Sequence, residues 1–223
     1  LFFPEHAGLV VFLLYLLGLA AAICTGLLLK DSFYTRTDPA SFVMELPPYR
    51  LPTPAVIWKH LWIKCEGFLV KAGTTIFVMS LLVWLLQHLT PHFTWTESLT
   101  QSLFALWGRE LAPLFAPLGF GFWQAAMALC AGVVAKEAMV STFQLVYGGA
   151  GAALAIGLSG AFTPASAAAF LVFALLYVPC ISTLATMARE LGGIRWPIIS
   201  ALLHVAWAYG ISFLVYLLGN LAL

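Results

Sequence analysis

Residues 7–29 read AGLVVFLLYLLGLAAAICTGLLL and contain no charged side chain. An apolar stretch of about 20 residues is long enough to cross the roughly 30 Å hydrocarbon core of a bilayer as a helix. Hydrocarbon offers no hydrogen-bond partner to the backbone, and a helix forms all of its backbone hydrogen bonds within one segment. The stretch therefore predicts a transmembrane helix.

The composition of the whole chain points to the same class of protein. Of its 223 residues, 62% are hydrophobic and only 9% are charged, and the mean hydropathy is +0.99. Soluble domains are about half apolar and about one quarter charged. These values exclude a soluble enzyme, a disordered chain and a secreted disulfide scaffold. The net charge of +1 provides no basic surface for nucleic acid. The high hydrophobic content predicts that the chain is surrounded by membrane lipid.

Four further stretches are apolar and long enough to cross the bilayer, at residues 68–89, 122–147, 168–188 and 197–218. The predicted fold is an all-α polytopic bundle with about five spanning helices, some of them interrupted. Residues 98–120 are apolar but contain Arg109, Glu110 and two prolines. We predict an interfacial or re-entrant segment there, with a sixth span as the alternative. Residues 148–169, rich in Gly, Ala and Ser and without charge, are predicted to be a flexible connection, with a dip into the membrane as the alternative.

Basic residues concentrate in one connection, residues 30–66, which holds Lys30, Arg36, Arg50, Lys59 and Lys64. Short loops rich in Lys and Arg remain on the cytoplasmic side of a membrane. The connection is therefore predicted to be cytoplasmic and, with five spans, so is the C-terminus. Because the chain starts at Leu1 and no positively charged region precedes the first apolar stretch, we expect a fragment of a longer protein or a processed product and not a chain that opens with a signal peptide.

Two charged residues, Lys136 and Glu137, lie inside the third apolar stretch. Lys136 follows Phe122 by roughly 20 Å of helix, and a charge at that depth costs at least about 2.5 kcal/mol. Adjacent helical residues point about 100° apart, so the two side chains do not simply pair with each other. Each needs a partner elsewhere, or the helix is broken here. The alternatives are a polar latch between helices and a path for an ion or substrate.

Glu137 also belongs to a polar stripe. Cys130, Glu137, Ser141 and Gln144 are seven, four and three residues apart, which places them on one face of a continuous helix. A thiol and a carboxylate together suit a divalent transition metal. We predict Cys130, Glu137 and Ser141 as candidate metal ligands, and interhelical hydrogen bonding as the alternative role of the stripe.

A second motif is the segment YVPCIST at residues 177–183. Pro179 removes a backbone donor and frees an upstream carbonyl, and transporters bind ions at helices interrupted in this way. Cys180 and Thr183 share a face and are predicted metal ligands. An ordinary proline kink with a packed cysteine is the alternative.

The chain lacks the motifs of several enzyme classes. It contains neither G-x-x-x-x-G-K-[ST] nor G-x-G-x-x-G, so no phosphate-binding loop is predicted, and it contains neither H-E-x-x-H nor G-x-S-x-G. We therefore predict a transporter that is not itself an enzyme.

Four segments, in order, carry a resemblance to a known family. They read FVMELPPYRLP at 42–52, GFLVKAGT at 67–74, GVVAKEAMVST at 132–142 and YVPCISTL at 177–184. Together they resemble the bacterial ferrous iron transport protein B (FeoB) family. Residues 1–52, the first helix and the Pro-rich loop, resemble its C-terminal-region module. Residues 53–223 resemble the second of its two gate, or nucleoside-recognition-like, domains.

The resemblance implies part of a permease that carries Fe²⁺ across the bacterial inner membrane. It also implies an N-terminal GTPase domain and a first gate domain in the complete protein, and a small cytoplasmic accessory partner. GTP and Mg²⁺ would act only through the GTPase domain, which these residues do not include. A homo-oligomer is left open. The family's gate motif covers Lys136, Glu137, Ser141 and Thr142, and its Pro-Cys motif covers Cys180.

The predicted mechanism is passage of Fe²⁺ along interrupted helices lined by Cys, Glu, Ser or Thr and backbone carbonyls. The predicted gating or ion-pairing residue is Lys136, and the predicted metal ligands are Cys180, Cys130, Glu137, Ser141 and Thr183. Two alternatives remain: a gate-domain transporter of another solute, such as a nucleoside, and a non-transporting membrane scaffold subunit.

Overall fold

The computed structural model describes residues 2–33, 52–71, 73–74 and 77–222. The described chain is all-α, as predicted. Single-turn 3₁₀ helices lie at Leu99–Gln101 and Ala116–Leu118, on either side of the α-helix Leu103–Phe115. The signature segment 42–52 lies, apart from Pro52, outside the described residues. The α-helices are α1 Ala7–Phe33, α2 Pro54–Lys71, α3 Phe77–His88, α4 Leu103–Phe115, α5 Trp123–Val134, α6 Ala138–Val146, α7 Ala152–Ala161, α8 Pro164–Leu176, α9 Ile181–Glu190 and α10 Arg195–Ala222.

Three helical units of the described chain are long and apolar enough to cross a bilayer. They are Ala7–Leu28, Pro164–Glu190 and Arg195–Leu221. The first lies within α1, the second combines α8 and α9, and the third lies within α10. Their length and composition agree with a polytopic helical membrane protein.

The predicted re-entrant segment, residues 98–120, contains the first arm of a bent pair of helices. Leu103–Leu118 and Trp123–Val134 meet at 103°, which agrees with a re-entrant segment; taken as one broken unit, the pair would be a fourth span. Gly119 makes the turn with a φ of +83°, in the left-handed region that glycine adopts most readily. A Cβ at Gly119 would also overlap the ring of Tyr216 in α10. The bend therefore requires glycine for both conformation and space.

In the described residues, three helical units are long enough to span, or four if the bent pair counts as one, against the five or so that the sequence predicted. Within the stretch 68–89, the described residues include the end of α2, at Lys71, and α3, which begins at Phe77. The stretch 122–147 is divided between α5 and α6, with residues 135–137 outside either helix. Apolar length alone does not reveal such breaks, because hydropathy is the same whether a segment is straight or interrupted.

The prediction of a flexible connection at residues 148–169 is wrong, because α7 and the first turn of α8 occupy much of it. Alanine has the highest helix propensity, and this outweighs the glycines. Thr163 and Ser166 form a capping box, in which each side chain accepts a hydrogen bond from the other residue's backbone N–H. Pro164 follows at the first helical position, where its missing N–H costs nothing.

Helix α8 forms the centre of the bundle and packs chiefly against α10. Ser212 of α10 is fully buried, and its Oγ donates to the Ala169 carbonyl of α8 at 2.6 Å. Ala165 lies against Gly219, with no room for a side chain between them, so the two backbones approach closely, as small residues permit in membranes. An aromatic cluster packs between α8 and its neighbours. It comprises Phe170 and Phe173 of α8 together with Phe115, Phe120, Phe143 and Phe162.

We expect Ser212→Ala to lower the free energy of unfolding by about 1 kcal/mol, since one buried interhelical hydrogen bond is lost. The midpoint of denaturant unfolding of the solubilised full-length protein would measure this. Ser159→Ala is the matched control, because Ser159 is exposed and its Oγ bonds only within its own helix, to Ile156. Equal midpoints for the two variants would contradict the expectation.

Candidate functional site

The first element of the site is the interruption between α8 and α9, which the sequence predicted at Pro179. A continuous helix would have the residue 179 N–H donate to the carbonyl of Leu175, but proline has no N–H. Helix α8 accordingly ends at Leu176, and α9 begins at Ile181 with Cys180 as its N-cap. The carbonyls at the end of α8 are left for other donors.

The second element is the break at residues 135–137, which brings Lys136 to the end of α8. Its Nζ donates to the carbonyls of Ala174 and Leu175, each at 3.1 Å, and lies 5.2 Å from the ring centroid of Tyr177. A cation is favoured at the negative C-terminal end of a helix. The two expectations for Lys136, a partner elsewhere or a broken helix, are both met: the break allows the side chain to reach its partner.

Tyr177 and Gly132 join the two breaks. Tyr177 is buried, and its hydroxyl donates a hydrogen bond to the Leu129 carbonyl of α5 at 3.1 Å. Gly132 lies directly against the Tyr177 hydroxyl and the Met139 side chain, so a Cβ there would overlap both. The interruptions of α5–α6 and α8–α9 thus meet at one place, held by a tyrosine hydroxyl on one side and the Lys136 ammonium on the other.

Cys180 lies at this junction. Its Sγ is 3.1 Å from the Thr183 hydroxyl, one helical turn further along α9. Cys180 is half-buried and Thr183 is exposed, and the thiol is near enough to the Lys136 ammonium for an electrostatic interaction. The structure therefore groups three predicted residues, Lys136, Cys180 and Thr183.

The other predicted ligands are placed differently. Cys130 is half-buried and lies near Tyr177, whereas Ser141 lines a separate cleft beside α3. Glu137 is exposed, and no hydrogen bond or ion pair joins it to another described residue. Because the helix is interrupted after Val134, the predicted stripe is not one continuous helical face.

No metal cage formed by side chains alone is present in the described part of the chain. Among those residues, no group of three or more His, Cys, Asp or Glu side chains is close enough to hold a metal ion. The arrangement instead combines one thiol, hydroxyls and main-chain carbonyls at helix ends. Such donors suit an ion that is bound in passing more than one that is held permanently.

Sequence reasoning missed Tyr177 and Gly132 as site residues. Both lie in the quoted motifs, but a tyrosine in an apolar segment and a glycine inside a helix have many ordinary explanations. The available signal was Gly132 itself. A glycine in a helix interior costs about 1 kcal/mol of stability relative to alanine, so its presence suggests that a neighbouring side chain or backbone packs closely against the helix there.

Comparison with known proteins agrees with this architecture. A family model described as "Ferrous iron transport protein B C terminus" matches residues 11–64. A second, the gate model described as "Nucleoside recognition", matches residues 69–194, more than half of the chain. The Fe(2+) transporter FeoB of Staphylococcus aureus (strain MSSA476) is 38% identical over 221 residues, which is 99% of this chain. The chain belongs to the ferrous iron transport protein B family.

Other members of the FeoB family show similar agreement. The Fe(2+) transporter FeoB of Methanocaldococcus jannaschii is 35% identical over 226 residues and covers 98% of this chain. A Porphyromonas gingivalis protein named as a fusion of Fe(2+) transport protein A and Fe(2+) transporter FeoB is 31% identical over 269 residues and covers 99%. The family resemblance predicted from the four motifs is thereby confirmed. No solved structure gives a significant match.

The chain spans about one third of the length of these FeoB relatives: the matched region is 33%, 33% and 32% of the three proteins. In those relatives, the region that matches the junction is one part of a longer polypeptide.

Proposed function

We propose that this chain forms part of a membrane permease for ferrous iron, in which Fe²⁺ passes the junction of the two interrupted helices. The observation that carries the proposal is the Lys136 ammonium bonded to the Ala174 and Leu175 carbonyls, at the interruption where Cys180 is the N-cap of α9. Carbonyls that bind an ammonium group are oriented to bind a cation, and the neighbouring thiol adds a ligand that favours transition metals.

The ligands of the passing ion are assigned by their position. Cys180 and Thr183 would bind first-row metal ions at the start of α9, and Cys130 would bind on the α5 side, near Tyr177. Glu137 is exposed next to Lys136 and would supply a carboxylate, whereas Ser141 would act further along the route, in the cleft beside α3. Oxygen and sulfur donors together suit Fe²⁺, which lies between the hard and soft ions.

Lys136 would act as the gate. Without an ion at Cys180, the ammonium stabilises the end of α8 and keeps the junction closed. A divalent ion at the thiol would repel the ammonium, since like charges repel each other strongly in a medium of low dielectric constant. Withdrawal of Lys136 would expose the carbonyls of Ala174 and Leu175 to the ion.

The complete permease would supply the remaining parts. We propose that a first gate domain forms the opposite wall of the pathway and that a GTPase domain, with GTP and Mg²⁺, drives or gates transport. A small cytoplasmic accessory protein is a proposed partner; the Porphyromonas gingivalis relative is named as a fusion of two such components. The protein would lie in the bacterial inner membrane with residues 30–66 and the C-terminus in the cytoplasm.

We expect Cys180→Ser in the full-length protein to lower the initial rate of Fe²⁺ uptake about tenfold, and Glu137→Gln to lower it by a smaller factor. A serine hydroxyl keeps the volume of the cysteine but not the soft ligand. Uptake of radioactive iron by cells lacking other Fe²⁺ importers, normalised to the amount of protein in the membrane, measures the effect.

Cys24→Ser and Glu97→Gln are the matched controls, because both residues are exposed and distant in sequence from the junction. Uptake that stays at the parental rate in Cys180→Ser and Glu137→Gln would remove the ligand assignment. If nucleosides but not Mn²⁺ inhibit the uptake, the protein is a carrier of organic solutes. If the protein takes up neither Fe²⁺ nor nucleosides, it is a non-transporting scaffold.

A further inference from the structure

A cleft beside the junction is lined by apolar side chains and by four polar ones, of which Ser80 and Gln87 have no role assigned above. It has a volume of about 240 Å³ and lies between α3, the end of α5 and the start of α6. Its polar lining consists of Ser80, Gln87, Ser141 and Thr142. A polar cleft between apolar helices is costly unless water or a ligand satisfies its polar groups.

Gln87 is the most informative of these residues. Its side chain is only 9% exposed, yet it makes no hydrogen bond to another residue in the described part of the chain. Amide groups that have no protein partner are usually satisfied by water in native proteins. Gln87 therefore indicates that the cleft is occupied by water or by a hydrated ligand.

The end of α5 adds backbone acceptors on the same side. Only the Ala131 carbonyl, among the last four of this helix, receives a backbone hydrogen bond from beyond the helix end, from Ala135. The carbonyls of Gly132, Val133 and Val134 accept no hydrogen bond from the described residues, and Val134 is one of the residues that line the cleft. The negative end of a helix dipole at a polar cleft favours a cation.

The two interrupted helices therefore differ. The Ala174 and Leu175 carbonyls at the end of α8 are occupied by Lys136, whereas the Val134 carbonyl at the end of α5 is open in a residue that lines the cleft. A cation that arrives in this conformation would meet no fixed positive charge among the residues lining the cleft.

We propose that this cleft, formed by Ser80, Gln87, Ser141 and the end of α5, is a binding chamber for a partly hydrated divalent cation. The inference rests on the proposed function and adds a second binding stage, in the cleft beside α3, to the Cys180 junction. Its donors are hydroxyl, amide and carbonyl oxygens, which suit a hard ion that keeps part of its water shell. Water takes up about 30 Å³ per molecule, so the cleft has room for an ion with several waters.

The test uses the full-length protein reconstituted in liposomes, with Ser141→Cys or Ser80→Cys as reporters. A cationic, membrane-impermeant methanethiosulfonate reagent should label both reporters above the parental level, because the chamber is wet. Mn²⁺ should slow the labelling several-fold. Addition of Gln87→Leu should raise the Mn²⁺ concentration for half-protection about tenfold, since one oxygen donor is lost.

Val140→Cys is the matched control, because Val140 precedes Ser141 at the same depth but is 55% exposed and does not line the cleft. Labelling of the Ser141→Cys reporter no faster than Val140→Cys, or labelling insensitive to Mn²⁺ or to Gln87→Leu, would overturn the chamber. Fe²⁺ uptake is measured separately: its absence despite Mn²⁺ protection would contradict the proposed iron transport and leave the chamber standing.

Discussion

Gly132→Ala is expected to destabilise the junction of the two interrupted helices by about 1–3 kcal/mol or more, because it overfills a packed site. The added Cβ would occupy space now taken by the Tyr177 hydroxyl and the Met139 side chain. Tyr177 would have to move, and its hydrogen bond to the Leu129 carbonyl would be lost. We expect a lower unfolding midpoint and a lower yield of monodisperse protein after solubilisation.

Gly160→Ala is the matched control for this variant. Gly160 lies within α7, and a Cβ there meets no atom within 4 Å, so alanine should be neutral or slightly stabilising because of its higher helix propensity. A second variant, Tyr177→Phe, removes only the hydroxyl and should reproduce part of the loss. If Gly132→Ala unfolds at the same midpoint as Gly160→Ala, the close contact between the breaks does not support the fold.

Lys136→Met is expected to give the second large effect and to lower the free energy of unfolding by about 1.5–3 kcal/mol, the usual range for hydrogen bonds to a charged group. Methionine preserves the length and flexibility of the side chain but cannot donate to the Ala174 and Leu175 carbonyls. These carbonyls would then lack their present donor in a segment predicted to lie within the membrane, where water is scarce. Thermal unfolding of the solubilised protein measures the loss.

Lys136→Arg separates the two roles proposed for this residue. Arginine keeps the cation and the donors, so stability should largely return, but its guanidinium is larger and more rigid than an ammonium. If Lys136 is a gate, Fe²⁺ uptake by Lys136→Arg should remain impaired although the protein is stable. Lys64→Met, an exposed lysine of α2, controls for the loss of one charge. Parental stability of Lys136→Met would show that its two hydrogen bonds stabilise nothing.

The candidate site could be predicted in part from local chemistry. Pro179 predicted the interruption between α8 and α9, because the loss of one backbone N–H disrupts the helix at that position whatever packs around it. The charge of Lys136 likewise required a partner, because charges in hydrocarbon are costly. The identity of that partner could not be predicted, since the bonded carbonyls lie 38 and 39 residues further along the chain.

The expected stripe of Cys130, Glu137, Ser141 and Gln144 shows the limit of periodicity. Equal spacing defines one face only while a helix continues, and here it stops at Val134. Nothing in the run of small and apolar residues before Lys136 marks that end. The break is associated with contacts made by Lys136 and Gly132 to α8 and Tyr177, so the grouping of ligands depends on tertiary packing.

Gln87 and Ser80 illustrate the same limit for the proposed chamber. Each is a single polar residue in an apolar segment, and such residues have no periodic partner in sequence. Their relation to Ser141 becomes visible only when α3 packs beside the end of α5 and the start of α6.

The sequence alone determined that this chain is a helical membrane protein of the FeoB family with an interruption at Pro179. Hydropathy, missing backbone donors and motif order are properties of the chain itself and do not depend on how its helices pack. Only the tertiary structure decided where the third apolar stretch breaks, which carbonyls Lys136 binds, and which polar residues share a cleft. Those features arise from contacts between segments far apart in sequence, whose energies no local pattern contains.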